Sequence, residues 1–236
     1  MSARFEELAR TPTRMGDITL RRRRDPMLDT DVFEVKLGDE FLMSSLYTAS
    51  EVALAELALI VAAEGPLDVV VGGLGLGYTA SAVLADPRVR SLRVIEALPA
   101  VIDWHTRKLL PSDLVDDPRC ELVNGDFFAL TVSDIGLLDA RDEHCHAVIV
   151  DIDHSPRRVL DPTHAVFYSL AGLRQLARHL HPGGVFALWS DDPPDPVFTV
   201  DVEAVFGSCA RHVVTVPNPY SDENGSATIY VATLNP

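Results

Sequence analysis

From Asp68 onward the chain alternates short continuous apolar runs with longer mixed stretches. Val69, Val70 and Val71 form a β-branched run of the kind found in a strand buried on both faces. Further runs at 91–95, 120–123, 146–151 and 184–190 predict more strands. The stretches 78–85, 99–110, 163–180 and 196–208, with one near 133–139, predict the helices between them. Such alternation implies a doubly wound, mostly parallel sheet. Two last runs, 212–216 and 227–233, face each other across PNPYSDENGS and predict a hairpin that ends the sheet with an antiparallel strand. Upstream, 17–24 and 32–44 read as β-strands, the latter folded back at Gly38-Asp39. The stretch 48–63 reads as an Ala- and Leu-rich helix, capped by Thr48 or Ser50. The pattern predicts an α/β, Rossmann-like fold preceded by a small N-terminal β-hairpin, with units at 1–47 and 48–236.

The segment 68–96 adds chemistry to this pattern. The strand at Val69–Val71 runs into Gly72, Gly73, Gly75 and Gly77, then a helix, then a second strand ending in Glu96. Glycines at a strand-to-helix turn let a ligand approach the backbone, and the helix N-terminus offers N–H donors. A carboxylate at the tip of the second strand is placed to accept hydrogen bonds from ribose hydroxyls. The glycines in GGLGLG do not give a clean G-x-G-x-x-G, and no pyrophosphate cradle is implied. The pattern is closer to the first motif of S-adenosylmethionine-type enzymes. In class I methyltransferase-like folds an acid after the third strand faces the adenine amino group and an apolar neighbour packs on the ring. Asp126 and Phe127 match by type and place.

Strand ends are where such folds place working residues. After the fourth strand come Asp151, Asp153 and His154, and after the fifth come Asp191 and Asp192. Asp151, the first residue past an apolar strand, is the candidate proton acceptor for an attacking amine. Asp153, His154, Asp191 and Asp192 are candidate substrate contacts.

Composition narrows the classes. The 236 residues suffice for one domain with a full core. A net charge of −15 argues against nucleic acid as a partner and is compatible with a cationic small-molecule substrate. No apolar run reaches the length of a membrane span, and the N-terminus lacks the apolar region of a signal peptide. Cys120, Cys145 and Cys209 are scattered, so neither a disulfide framework nor a metal site is expected, and the expected compartment is the cytoplasm. The arginine run 21–24 reads as a solvated edge strand kept from aggregating by charge; an anionic substrate or salt bridges across a dimer are the other options.

The chain resembles the spermidine synthase family, the polyamine aminopropyltransferases, over nearly its whole length. The carrying segments are GDEFLMSSLYTASE (38–51), VVVGGLGLGY (69–78), VIEALPAVIDWHTRKLLP (94–111), DDPRCELVNGDFF (116–128), VIVDIDHSP (148–156) and LARHLHPGGVFAL (176–188). The resemblance implies a seven-stranded methyltransferase-like sheet behind an N-terminal β-hairpin, a homodimer, and aminopropyl transfer from decarboxylated S-adenosylmethionine to an amine. It implies that Glu96 binds ribose, Asp126 binds adenine, Asp151 is the base and Tyr47 lines the substrate channel. Departures fall on the amine-binding acids. The family's glycine-loop aspartate is Gly75 here, two acids before the tyrosine are Ser44 and Ser45, and the second acid after the fourth strand is His154. Burying an ammonium without a charge partner is costly, so putrescine is expected to be a poor substrate. Methyl transfer from S-adenosylmethionine and a non-catalytic adenosyl-binding role are the alternatives.

Overall fold

A computed structural model describes residues 5–133, 135–138 and 144–235. The chain forms two sheets. A four-stranded antiparallel sheet comprises β1 (Phe5–Thr13), β2 (Gly16–Asp25), β3 (Thr30–Leu37) and β4 (Glu40–Ser44) in sequential order. Helix α1 (Ala49–Ile60) leads to the α/β unit. It contains β5 (Leu67–Gly72), α2 (Tyr78–Ala85), β6 (Val89–Glu96), α3 (Pro99–Thr106), β7 (Cys120–Asn124), α4 (Phe127–Val132), β8 (Cys145–Val150), α5 (Leu170–Ala177), β9 (Leu180–Ser190), α6 (Pro196–Phe206), β10 (Ala210–Val216) and β11 (Gly225–Thr233). The seven strands lie in the order β10-β11-β9-β8-β5-β6-β7, with β5 to β9 parallel. Among the described residues no helix is long and apolar enough to cross a membrane.

The central strands carry the core because both of their faces are covered. Val69–Val71, Ala147–Val150 and Val185–Leu188 are all essentially inaccessible. One face packs on Leu54, Ala55 and Ala58 of α1 with Val83 of α2, and the other on Leu173 and Leu176 of α5 with Phe198, Val202 and Phe206 of α6.

The C-terminal hairpin ends the sheet as expected: β11, antiparallel to both neighbours and buried from Ala227 to Ala232, sits between β9 and β10, and β10, which alternates in exposure, forms the edge. Other expectations are corrected. The helix expected near 133–139 is displaced to Phe127–Val132, because Asp126 caps it through Ala129 N–H at 3.1 Å; residues 134 and 139 lie outside the described residues. The single helix expected at 163–180 is a 3-10 turn (Pro162–Val166) followed by α5, restarted by the Ser169 cap.

The arginine run is not on an edge either. An additional strand, β1, pairs with it on one side and β3 on the other. Arg22 meets Glu6 at 2.6 Å, Arg23 meets Asp25 and Glu34 at 2.7 and 2.8 Å, Arg24 meets Asp29 at 2.6 Å, and Arg21 lies over the Phe5 ring. The run is the polar end of an inner strand whose Ile18 and Leu20 face the core. The small sheet is tied to the large one where Tyr220, between β10 and β11, donates its hydroxyl to Asp25. The Tyr220 hydroxyl and then the Arg23 guanidinium hold the Asp25 carboxyl well below the usual carboxylate range.

The turn after β5 is set by one close approach. Gly73 has φ +94°, and a Cβ there would lie 2.1 Å from the Asp151 carbonyl oxygen. Gly73→Ala is expected to lower unfolding stability by about 3 kcal/mol or more, since neither backbone can yield. Gly183 has φ +78° with nothing within 4 Å of its Cβ position. Gly183→Ala should therefore cost only the backbone term of roughly 1–2 kcal/mol. Urea midpoints for the two variants check the difference, and equal midpoints would refute the steric reading.

Candidate active site

A cavity of about 850 Å³ lies over the carboxyl ends of the parallel strands. Its floor is the glycine turn Gly73–Gly75, Glu96, Asn124–Asp126 and Asp151–His154, and its roof comes from the small sheet through Ile18, Val35, Leu37 and Phe41–Ser44. Trp189 and the tips of β10 and β11 close a third side.

Glu96 ends β6 and lines the cavity as the spacing predicted. Its two oxygens already accept N–H bonds, from Leu74 at 3.0 Å and Leu98 at 2.8 Å. It therefore braces the glycine turn against the start of α3. Burial pushes its pKa up, and the surrounding N–H groups oppose that shift. Asp126 lines the same end while capping α4, and Leu98 and Val101 supply apolar wall beside it. Tyr47, Gly73, Gly75, Asp151, Asp153, His154 and Asp191 also reach the cavity.

Four predicted residues do not line it. Phe127 is 2% exposed and points into the core beneath the turn, against Phe128 and Phe167. Gly72 makes room for that ring, since a Cβ would lie 2.8 Å from it. Gly77 makes room for Leu114 and His105. Asp192 is drawn away by Arg158 at 2.9 Å.

Several of the candidate substrate acids are engaged by the protein itself. Asp153 is buried and accepts from Leu160 N–H at 2.7 Å, His164 Nδ1 at 3.0 Å and the Tyr168 hydroxyl at 2.8 Å, so it fixes the loop after β8. Asp191 pairs with Arg158 at 2.9 Å. His154 reaches Glu40 of β4 at 2.9 Å and joins floor to roof.

Asp151 is held differently. Its carboxylate accepts the Thr79 hydroxyl at 2.6 Å, and burial raises its pKa despite that bond. Beside it is an acid absent from the sequence-based set, Glu51 on the first turn of α1. Glu51 is buried and accepts from Ser50 Oγ at 2.8 Å. Its pKa is pushed up to about 7, first by burial and second by the Asp151 charge. A sequence signal for it exists: Leu54, Ala55, Ala58 and Leu59 stand three, four, seven and eight residues later, so Glu51 shares their buried face. Two like-charged carboxyls in one dry wall favour a shared proton. Such a pair can hold an ammonium and take up a proton near neutral pH.

Because the Glu51 pKa is raised on folding, its contribution to stability is full below the unfolded value of 4.5 and is lost as pH rises to about 7. The loss corresponds to about 3 kcal/mol. Glu51→Gln should remove it, so that the variant gains on the wild type by that order between pH 4.5 and 7.5 in urea unfolding. Parallel pH profiles for the two proteins would exclude the buried-carboxyl assignment.

No family model matches the chain, and no curated protein matches it by sequence. Solved structures do. The spermidine synthase of Thermotoga maritima is similar with a TM-score of 0.72 and 17% identity, over 96% of this chain and 72% of that one. A spermidine synthase in complex with the transition state analogue AdoDATO is similar with a TM-score of 0.71 and 17% identity, over the same 96% and 72%. The two-sheet arrangement built up above, small antiparallel sheet over seven-stranded α/β unit, is thus the fold of the spermidine synthases.

Proposed function

We propose that the protein is an aminopropyltransferase-like enzyme that binds decarboxylated S-adenosylmethionine and transfers its aminopropyl group to an amine. The observation that carries this reading is the Glu51–Asp151 carboxyl pair beside the glycine turn. The glycine turn, Glu96 and Asp126 make a wall that suits an adenosyl group: a backbone without Cβ atoms at Gly73 and Gly75, a carboxylate for ribose hydroxyls and a second carboxylate for an amino group. A co-substrate that keeps its methionine carboxylate would bring a further negative charge next to the pair. Among the described cavity-lining residues the cationic or imidazole side chains are Arg14, His154 and His164; His154 and His164 are bonded to Glu40 and Asp153. The decarboxylated form meets no such repulsion, which favours it over a methyltransferase reading.

In the proposed reaction the lone pair of the acceptor nitrogen forms a C–N bond to the propyl carbon. The C–S bond breaks, its electrons stay on sulfur, and methylthioadenosine leaves as a neutral thioether. The proton lost from nitrogen passes to the Asp151 carboxylate and then to solvent. Thr79 holds that carboxylate in place, and burial raises its proton affinity. Aliphatic amines are protonated at neutral pH, with pKa values near 10.4, so stripping this proton is part of the barrier.

Two measurements test the reading. Methylthioadenosine should bind in calorimetry, and Glu96→Gln should weaken it about tenfold or more, the cost of losing one buried charged acceptor. Unchanged affinity in a folded variant would remove the adenosyl assignment, as would tighter binding of S-adenosylmethionine than of its decarboxylated form for the aminopropyl step. Asp151→Asn should lower turnover by roughly 10²–10⁴ while methylthioadenosine affinity stays within a few fold. Wild-type kcat/KM should rise with pH through about 7 as the pair loses its proton. A flat profile, or full activity in Asp151→Asn, would contradict the proton-acceptor role.

A further inference from the structure

We infer that the acceptor is an amine carrying one positive charge on an apolar body, rather than a diamine; this deepens the transferase reading above and rests on it. Beyond the adenosyl wall, the cavity is bounded by the carboxyl pair and the roof. The roof there is aliphatic and aromatic: Ile18, Val35, Leu37, Phe41 and Met43, with Trp189 across from them. The glycine turn itself faces a thioether. A Cβ on Gly75 would lie 2.6 Å from Met43 Sδ and 2.9 Å from its Cε, so Met43 fills the space into which any side chain at position 75 would project.

A second ammonium needs a second free carboxylate, and the remaining acids of the wall are engaged. Asp153 serves Leu160, His164 and Tyr168, and Asp191 serves Arg158. Asp161, at the mouth, accepts both the N–H and the hydroxyl of Thr163, and its pKa is lowered by Thr163 first and by His164 and Arg14 more weakly. The carboxyl pair that is left carries a single negative charge below about pH 7, where it keeps one proton. One ammonium matches it. The far end of the ligand then meets apolar side chains, where a methylene chain gains by burial and a second ammonium is left unpaired.

The test is calorimetry at pH 6.5, where the pair keeps its proton, with hexylamine and 1,6-diaminohexane, which differ only in the second charge, each with and without saturating methylthioadenosine. Hexylamine is expected to bind at least tenfold more tightly. In a butyl-, pentyl-, hexylamine series affinity should rise about fourfold per methylene, as expected for buried CH₂ groups. Glu51→Gln should weaken hexylamine at least tenfold. Met43→Asp, in a variant shown to fold by its thermal transition, should move the preference at least tenfold toward the diamine. Diaminohexane binding as well as hexylamine, or an affinity independent of chain length, would overturn the inference, and both are read on the unmodified protein. The outcomes separate from those of the adenosyl assignment. Methylthioadenosine binding with a diamine preference defeats this inference alone. Hexylamine preference without methylthioadenosine binding defeats the transferase reading and leaves an amine site.

Discussion

The backbone of the turn after β5 passes against the backbone at the end of β8, and the site is organised around that approach. With Gly73 stacked on the Asp151 carbonyl and Asp151 N–H donating to Gly72 O at 2.9 Å, the two strand ends form one rigid edge. The turn is pinned on its other side by Gly73 N–H donating to Ile95 O at 2.9 Å and by Leu74 N–H donating to Glu96. The His105 ring holds it from below: Nε2–H donates to Gly75 O at 2.9 Å, and burial lowers that ring's pKa, so it stays neutral with its proton on Nε2. The Asp151 side chain leaves this edge, and Thr79, at the start of the helix that the turn launches, fixes where it points.

Charge is distributed by the same economy of partners. The chain is strongly acidic, yet most acids around the cavity are tied to an arginine, an imidazole or a helix cap. Exposed pairs of this kind add little stability; their effect here is to remove negative charge from the wall. Glu51 and Asp151 have no cation among their described partners, and burial penalises ionisation of both. A site that recognised cations by sheer negative potential would look different: its carboxylates would be solvated and unpaired.

Much of this was legible in the sequence, and the misses have physical causes. Buried parallel strands announce themselves because both faces are apolar, so β5, β8 and β9 follow from runs of Val, Ile and Leu. The strand β1 has no such signal: FEELARTPT is largely exposed, held by its ladder to β2 and by charge pairs. Glu96 and Asp151 follow from strand ends, which fixes position but not partners. The partners that engage Asp153 and Asp191 come from seven to 33 residues away in the chain. An aromatic such as Phe127 fits a ring-stacking role by type, and only the backbone direction after Asp126 decides that it faces the core. Glu51 stood in the open as a lone acid on the buried face of an apolar helix.

The roof has one property that reaches beyond the chemistry. Ile18, Val35 and Leu37 belong to the buried interior, yet they also border the cavity. The four-stranded sheet thus rests its apolar face partly on protein and partly on whatever lies in the cavity. A bound molecule with an apolar body is, to that sheet, a missing layer of core. Occupancy and the order of the small sheet are then one thermodynamic quantity, since a ligand that binds only the folded arrangement adds RT ln(1 + [L]/Kd) to its stability. The cargo helps to build the room that holds it.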